Sequence, residues 1–234
     1  VSGPAPLTWV AFGSATGEFG ADAAGPYDRA LREGRGQLLL YDVASGAPVD
    51  VIPVWRFAAR ADQHERALLA RGDGPLLDLG CGPGRMVQAS MSSGRPALGV
   101  DLSRAACEIA VAKGIPVLRR SLFESLPGEG RWATVLLLDG NIGIGGDPLR
   151  LLNRVVALLA PGGTVIVEGD PDVTADVAFT AVLADDKGLS GPTFRWARVG
   201  ALALRRHAHR AGLRLTREWS ADGRTFCEYA RPTT

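Results

Sequence analysis

Lysine is almost absent from this chain. It occurs only at Lys113 and Lys187, although lysine and arginine together number 26 against 25 acidic residues and leave a formal charge of +1. A near-neutral protein sets up no global field to draw in nucleic acid or an anionic membrane surface. The expected partner is therefore a small molecule, with no nucleic acid and no membrane involved. The arginine excess accompanies richness in alanine and glycine and reads as a coding bias rather than as a binding surface. Cysteine is scarce too. Cys81, Cys107 and Cys227 are too few for a disulfide framework and form no C-x-x-C pair, so no metal site is expected and a reducing cytoplasm suits them. No basic stretch followed by an apolar segment opens the sequence, and no apolar run reaches the ~18 residues of a membrane span. The expectation from these absences is a soluble, cytoplasmic protein.

What is present is a regular alternation. From residue 76 onward, short apolar runs of β type (76–79, 97–101, 116–118, 134–139, 164–168, 213–219 and 225–230) are separated by helical patterns (85–92, 104–113, 148–159 and 198–211). Alternation of this kind is the signature of βαβ units and a mostly parallel sheet. Several runs are almost wholly apolar, as expected when helices cover both faces. The last two runs flank Ala221-Asp222-Gly223 and should form an antiparallel hairpin. Residues 1–60 differ. Gly, Ala and Pro dominate up to Pro26, a stretch expected to be partly disordered. Residues 37–42 and 49–54 then read as two strands around Ser45-Gly46, and 62–70 as a helix. The expected organisation is a small N-terminal lid with a β-hairpin over 1–60 and an α/β domain over 61–234. Residues 170–193, rich in Asp, Gly and Pro, read as an insertion-like loop or short helix placed where it could close over a site.

The densest chemical signal is Asp78-Leu79-Gly80-Cys81-Gly82-Pro83-Gly84-Arg85, a buried strand running into a glycine turn and then a helix. Glycines at alternating positions let the backbone turn tightly and keep side chains away from a ligand. The helix beyond offers unpaired N–H groups. A dinucleotide fingerprint is G-x-G-x-x-G, whereas here the spacing is G-x-G-x-G with an acid two residues ahead. A carboxylate there repels pyrophosphate but suits a ligand carrying an ammonium group and a sulfonium. A glycine-rich turn without a ligand is the alternative. The second strand, Ala97-Leu98-Gly99-Val100-Asp101, ends in an acid placed to accept the two ribose hydroxyls of an adenosine; Asp101 or Ser103 could instead cap the next helix.

Together these segments resemble the class I S-adenosylmethionine-dependent methyltransferases. Residues 78–84 match the first motif of that superfamily, Gly99-Val100-Asp101-Leu102-Ser103 the second-strand motif, and Leu159-Ala160-Pro161-Gly162-Gly163-Thr164 its Pro-Gly-Gly turn. The resemblance implies a Rossmann-like seven-stranded sheet with one antiparallel strand, S-adenosyl-L-methionine as cofactor, and Leu102 against the adenine. It places Asp78, Gly80, Cys81, Gly82, Gly84 and Asp101 around the cofactor. Family members often carry an acid after the third strand that takes the adenine amino group. Here Ser121 stands near that place, with Leu122 and Phe123 beside it and Glu124 available in a shifted register.

The fourth run ends in Asp139-Gly140-Asn141, which in the resembled family faces the methionine half of the cofactor. Asp147 and Pro148 read as the cap and first residue of the next helix. For removing a proton from the acceptor, His64 and Glu168 are the leading candidates, with Asp170, His207 and His209 behind them. Arg56 or Arg60 could pair with the cofactor carboxylate, and Tyr27, Trp55 and Trp196 could wall the acceptor. The expected activity is methyl transfer to the O, N or C atom of a small molecule by in-line displacement. The rival readings are a non-catalytic cofactor-binding subunit, an RNA methyltransferase and a nucleotide-dependent oxidoreductase.

Overall fold

A computed structural model of the protein describes residues 16–23, 25–188 and 190–233. Of the stretch up to Pro26 expected to be partly disordered, residues 1–15 and 24 lie outside the described residues, whereas 16–23 and 25–26 are placed and include β1 and the first residue of α1. The described chain begins with β1 (Thr16–Gly17), α1 (Pro26–Glu33), β2 (Gln37–Asp42), β3 (Pro48–Pro53), α2 (Val54–Ala58) and α3 (Gln63–Leu69). The alternating part follows as β4 (Leu76–Leu79), α4 (Arg85–Ser92), β5 (Ala97–Asp101), α5 (Arg104–Ala112), β6 (Val117–Arg119) and β7 (Trp132–Leu137). A 3-10 stretch (Asn141–Gly146) leads to α6 (Pro148–Leu158), β8 (Leu159–Gly169), β9 (Asp176–Asp185) and β10 (Thr193–Val199). The chain closes with α7 (Ala201–Arg210), β11 (Arg214–Ala221) and β12 (Arg224–Ala230).

Seven strands form one sheet in the order β11-β12-β8-β7-β4-β5-β6. The run from β8 to β6 is parallel, and β12 pairs antiparallel with both β8 and β11. The alternation of side chains along each strand assigns the two faces. Leu77, Leu79, Val135, Leu137, Val165 and Val167 pack with α5, α6 and α7. Their neighbours Leu76, Leu136, Leu138 and Ile166 pack with α3 and α4. Each such side chain, fully removed from water, contributes about 1.5–3 kcal/mol. Helices therefore cover both faces, as the apolar runs required. Helix starts follow local chemistry: Ser103 caps α5, Asp147 caps α6, and Asp62 forms a reciprocal capping box with Glu65 on α3.

The segment expected as a loop or short helix is mostly strand. β9 and β10 pair antiparallel, and β9 also pairs with β2, giving a second sheet in the order β1-β10-β9-β2-β3. The small sheet thus joins the N-terminal hairpin to a stretch more than 120 residues later. The Asp, Gly and Pro of that region concentrate in the connections at 170–175 and 186–192, leaving 177–184 as a β-rich run whose partners are distant in sequence. Helices α1 and α2 were not anticipated, because each is short and α1 follows a Gly/Pro-rich stretch. The wholly buried Asp28 of α1 accepts hydrogen bonds from Ser103 Oγ at 2.5 Å and the Ala105 N–H at 3.0 Å, so it docks α1 on the N-terminus of α5.

Candidate active site

The carboxyl ends of β4, β5, β7 and β8 meet the small sheet across a cavity of about 340 Å³. Its floor is the turn after β4. Gly80 has φ 73° and Gly84 has φ 85°, in the left-handed region that glycine occupies without strain. A Cβ on Gly80 would lie 2.5 Å from Asn141 Nδ2, and one on Gly84 would lie 2.8 Å from an Ile115 methyl. Gly80 therefore lets the β7 loop approach, and Gly84 lets α4 pack on its neighbours. Asn141 secures that approach by donating from Nδ2 to the carbonyls of Leu79 and Gly80, both at 2.9 Å.

Asp101 sits at the tip of β5 with its carboxylate turned into the turn. Oδ2 accepts from the Gly82 N–H at 2.7 Å and Oδ1 from the Ser103 N–H at 2.8 Å. Burial pushes this carboxyl up to about 6, against the pull of those two N–H groups. Asp78, in the middle of the sheet, is more extreme. It accepts no hydrogen bond from any described residue, and burial raises it to about 7 even with the Arg85 guanidinium nearby. A buried carboxylate without a donor is costly, and positive charge brought up to the other side of the glycine turn would offset part of that cost.

Beside it lies an ion cluster joining six elements. Arg85 on α4 donates from Nη2 to Glu65 Oε1 at 2.8 Å and to Asp139 Oδ2 at 2.6 Å. Arg224, opening β12, binds Glu168 through Nε at 2.7 Å and Nη2 at 2.6 Å, and reaches Glu65 at 3.2 Å. Arg56 on α2 stands 3.6 Å from Glu65 and 4.0 Å from Asp139. Burial alone would raise Glu65, but the Arg85 hydrogen bonds and charge hold it at about 2. Asp139 has φ 54°, a strained conformation for a residue with a side chain. It is held there by Arg85 on its carboxylate and by its own N–H donating to Glu168 at 2.7 Å. Three acids face three arginines, and the neighbouring Asp78 makes a fourth acid.

Of the residues singled out from sequence, Gly80, Cys81, Gly82, Asp101, Leu102, Leu122, Asp139, Gly140, Asn141 and Glu168 line the cavity. Asp78 and Gly84 lie behind the glycine turn, buried. Ser121 is buried at its edge, hydrogen-bonded to Glu18. Phe123 is outside it, its ring covered by the Arg150 guanidinium at 4.0 Å. His64 is not brought to the cavity. It is half-buried on α3 beside the Gln63 amide, because one residue further along a helix turns about 100° and it is Glu65 that points inward. Glu168 does reach the cavity, but both its oxygens are taken up by Arg224. Asp170 is likewise paired with Arg198 at 2.6 Å, and His207 with Asp176 at 2.9 Å; His209 is exposed. Tyr27 and Trp196 form part of the wall, while Trp55 is exposed and its neighbour Phe57 lines the cavity instead.

Sequence reasoning missed Glu18, Glu65, Arg85 and Arg224. Arg85 directly follows the glycine motif, which was a usable signal. The other three acquire meaning only from partners far away in the chain.

The sequence model of the methyltransferase domain matches residues 54–218, well over half of the chain. The chain belongs to the methyltransferase-domain family. It is an S-adenosylmethionine-dependent methyltransferase of class I, with the sheet order and glycine turn described above. Solved methyltransferase structures share the fold. An S-adenosylmethionine-dependent methyltransferase from Bacteroides fragilis, in complex with S-adenosylhomocysteine, superposes with a TM-score of 0.74 at 20% identity, covering 93% of this chain and 98% of that one. A sugar N-methyltransferase from a Streptoalloteichus species gives 0.59 at 20% identity, covering 96% and 99%. The Burkholderia thailandensis 1,6-didemethyltoxoflavin N1-methyltransferase gives 0.54 at 17%, covering 73% and 77%. At these identities the likeness is one of fold. A comparison with curated proteins finds no match. No helix among the described residues of this methyltransferase is long and apolar enough to cross a membrane.

Proposed function

We propose that this methyltransferase transfers a methyl group to the O, N or C atom of a small molecule held between the glycine turn and the small sheet. The observation that carries the reading is the two-sided cavity, with a polar floor at the carboxyl ends of the parallel strands and an apolar roof. Its volume falls in the range of small-molecule sites, about 300–1,000 Å³. The neighbours that act on a sugar and on 1,6-didemethyltoxoflavin support the same class of acceptor.

S-adenosylmethionine, when bound, supplies an electrophilic methyl on a positive sulfur, and that carries most of the driving force. The chain's own residues do the placing. Asp101 accepts from the ribose hydroxyls with the lone pairs not used by Gly82 and Ser103, and Leu102 and Leu122 flank the base, with Ser121 and Phe123 shaping that end. Gly80, Cys81, Gly82, Gly140 and Asn141 form the close backbone surface, with Gly84 permitting it. Asp78 balances the ammonium, and Asp139 is held by Arg85 at the methionine end. Glu168 positions Asp139 and Arg224, and no proton transfer is assigned to it or to His64. The described part of the N-terminal segment up to residue 60, with β9 and β10, acts as the lid that excludes water and lines the acceptor with Leu40, Ile52 and Trp196. Three buried cysteines suit a cytoplasmic setting.

Titration calorimetry with S-adenosylmethionine, S-adenosylhomocysteine and NAD, followed by a panel of amine, hydroxyl and carbon acceptors, tests this. Micromolar binding of both adenosyl ligands and methylation of a small acceptor are expected. Turnover only on RNA overturns the acceptor class, and failure of the folded protein to bind either adenosyl ligand overturns the cofactor assignment.

A further inference from the structure

The stretch just after β6 carries no acid inside the cavity. Ser121 is buried there without a formal charge, and Glu124 is exposed with its carboxylate 3.6 Å from Arg120. A carboxylate nevertheless stands at this edge of the site, and it comes from 103 residues earlier in the chain. Ser121 Oγ donates to Glu18 Oε2 at 2.6 Å, and the Phe123 N–H donates to the same Oγ at 3.3 Å. The hydroxyl is thereby oriented toward Glu18. It uses one carboxylate oxygen, and no described residue hydrogen-bonds the other.

Glu18 lines the same cavity as Asp101, Leu102 and Leu122. Its backbone is pinned over this end. A Cβ on Gly20 would lie 3.3 Å from the Ser103 nitrogen, in the turn beyond Asp101. Phe19 packs on Tyr27, Phe194 and Trp196, with ring centroids 5.1–5.3 Å apart. β1 pairs with β10, and Asp28 anchors α1 to α5. The strand of chain around Glu18 is thus fixed on both sides.

We infer that Glu18 reads the nucleobase of the cofactor, accepting a hydrogen bond from the exocyclic amino group of adenine with the carboxylate oxygen that Ser121 leaves free. This rests on the cofactor reading above. With the ribose on Asp101, Leu102 and Leu122, which line the same cavity, would hold the base on the side of Glu18. A carboxylate is an acceptor only, so it favours a 6-amino purine and opposes a 6-oxo purine, which presents another acceptor. The N-terminal segment is then part of the cofactor site rather than a cover over it alone.

The test is calorimetric binding of S-adenosylhomocysteine and S-inosylhomocysteine, which differ in that amino group, to the wild type, Glu18→Gln and Glu18→Ala. The wild type should prefer the adenosyl ligand by roughly tenfold or more, the range of a charge-assisted hydrogen bond. Glu18→Ala should bring the two affinities to within about threefold, and Glu18→Gln, whose amide can donate to the 6-oxo group, should shift the preference toward the inosyl ligand. Wild-type preference unchanged in both variants overturns the role of Glu18 while leaving the cofactor reading intact. Absence of S-adenosylhomocysteine binding by the folded wild type overturns both. Glu18 is exposed, so both variants should fold, and circular dichroism of each confirms it.

Discussion

The floor and the roof of the cavity are built on opposite principles. The floor belongs to a parallel sheet, and its polar groups are fixed in place: Asp101 by two backbone N–H groups, Asp139 by Arg85 and the Glu168 contact, Glu65 by three arginines. The roof is a mostly antiparallel sheet that offers Leu40, Ile52 and Trp196, with charges such as Asp50 placed singly among them. A preorganised polar surface suits the constant part of a reaction, because its geometry is set before the ligand arrives. A wall of apolar side chains with isolated polar groups suits a partner that is recognised by shape. The contrast underlies the proposal that the cofactor lies on one side and the acceptor on the other, and it can be broken at several points.

The heaviest blow falls on the ion cluster. Arg85→Met leaves Glu65 and Asp139 without their main partner, and loss of one member of a buried pair costs about 3–5 kcal/mol; urea unfolding should show this, and a shift under 1 kcal/mol would mean that the cluster is not coupled to the fold. Removing the proposed ribose acceptor comes next. Asp101→Ala should weaken S-adenosylhomocysteine by about a hundredfold, from two charge-assisted hydrogen bonds, with calorimetry as the readout. Unchanged affinity would move the ribose elsewhere.

Asp78 gives a pH signature of the floor. Its folded value of about 7 lies above the ordinary 3.8. The folded state therefore holds the proton more tightly than the unfolded chain, and the penalty of ionising it grows as pH rises from about 4 to 7 and is complete above that. Asp78→Asn should gain about 2 kcal/mol on the unliganded wild type between pH 5 and pH 8, measured by urea midpoints, and should bind S-adenosylhomocysteine more weakly. A difference that does not vary with pH would contradict the raised value. Glu65 behaves in the opposite sense: held at about 2, it contributes stability above its usual 4.5 that is lost as pH falls toward 2.

The smallest effect is expected on the roof. Asp50→Ala, on β3, should leave cofactor affinity unchanged and raise the acceptor KM by about threefold to tenfold, in line with one hydrogen bond. A matching loss of cofactor affinity would erase the division between floor and roof.

The large sheet was legible because each of its strands and helices carries its own pattern. Residues 76–79, 85–92 and 97–101 were placed to the residue, since an apolar run, a glycine turn and a cap are local features. The small sheet was legible only by half. The hairpin of β2 and β3 announces itself through a short turn, but β9 and β10 flank a Gly- and Pro-containing stretch, and their stabilising partner β2 lies about 140 residues earlier. The same distinction runs through the site. Asp78, the glycines and Asp101 sit in a contiguous motif and its immediate successor. His64 stood out in the sequence and Glu65 did not, and only the phase of the α3 turn in the packed chain makes Glu65 the buried one of the two.

The sequence by itself determined the parallel sheet, the glycine turn and the acid at the second strand tip, because hydrophobic period and backbone conformation act over a few residues. Only the tertiary structure decided that Glu18 meets Ser121, that Arg224 closes on Glu168 and Glu65, and that a second sheet roofs the cavity. Those contacts join residues 56 to 159 positions apart, and such pairings are selected by the packing of the whole chain rather than by any local preference.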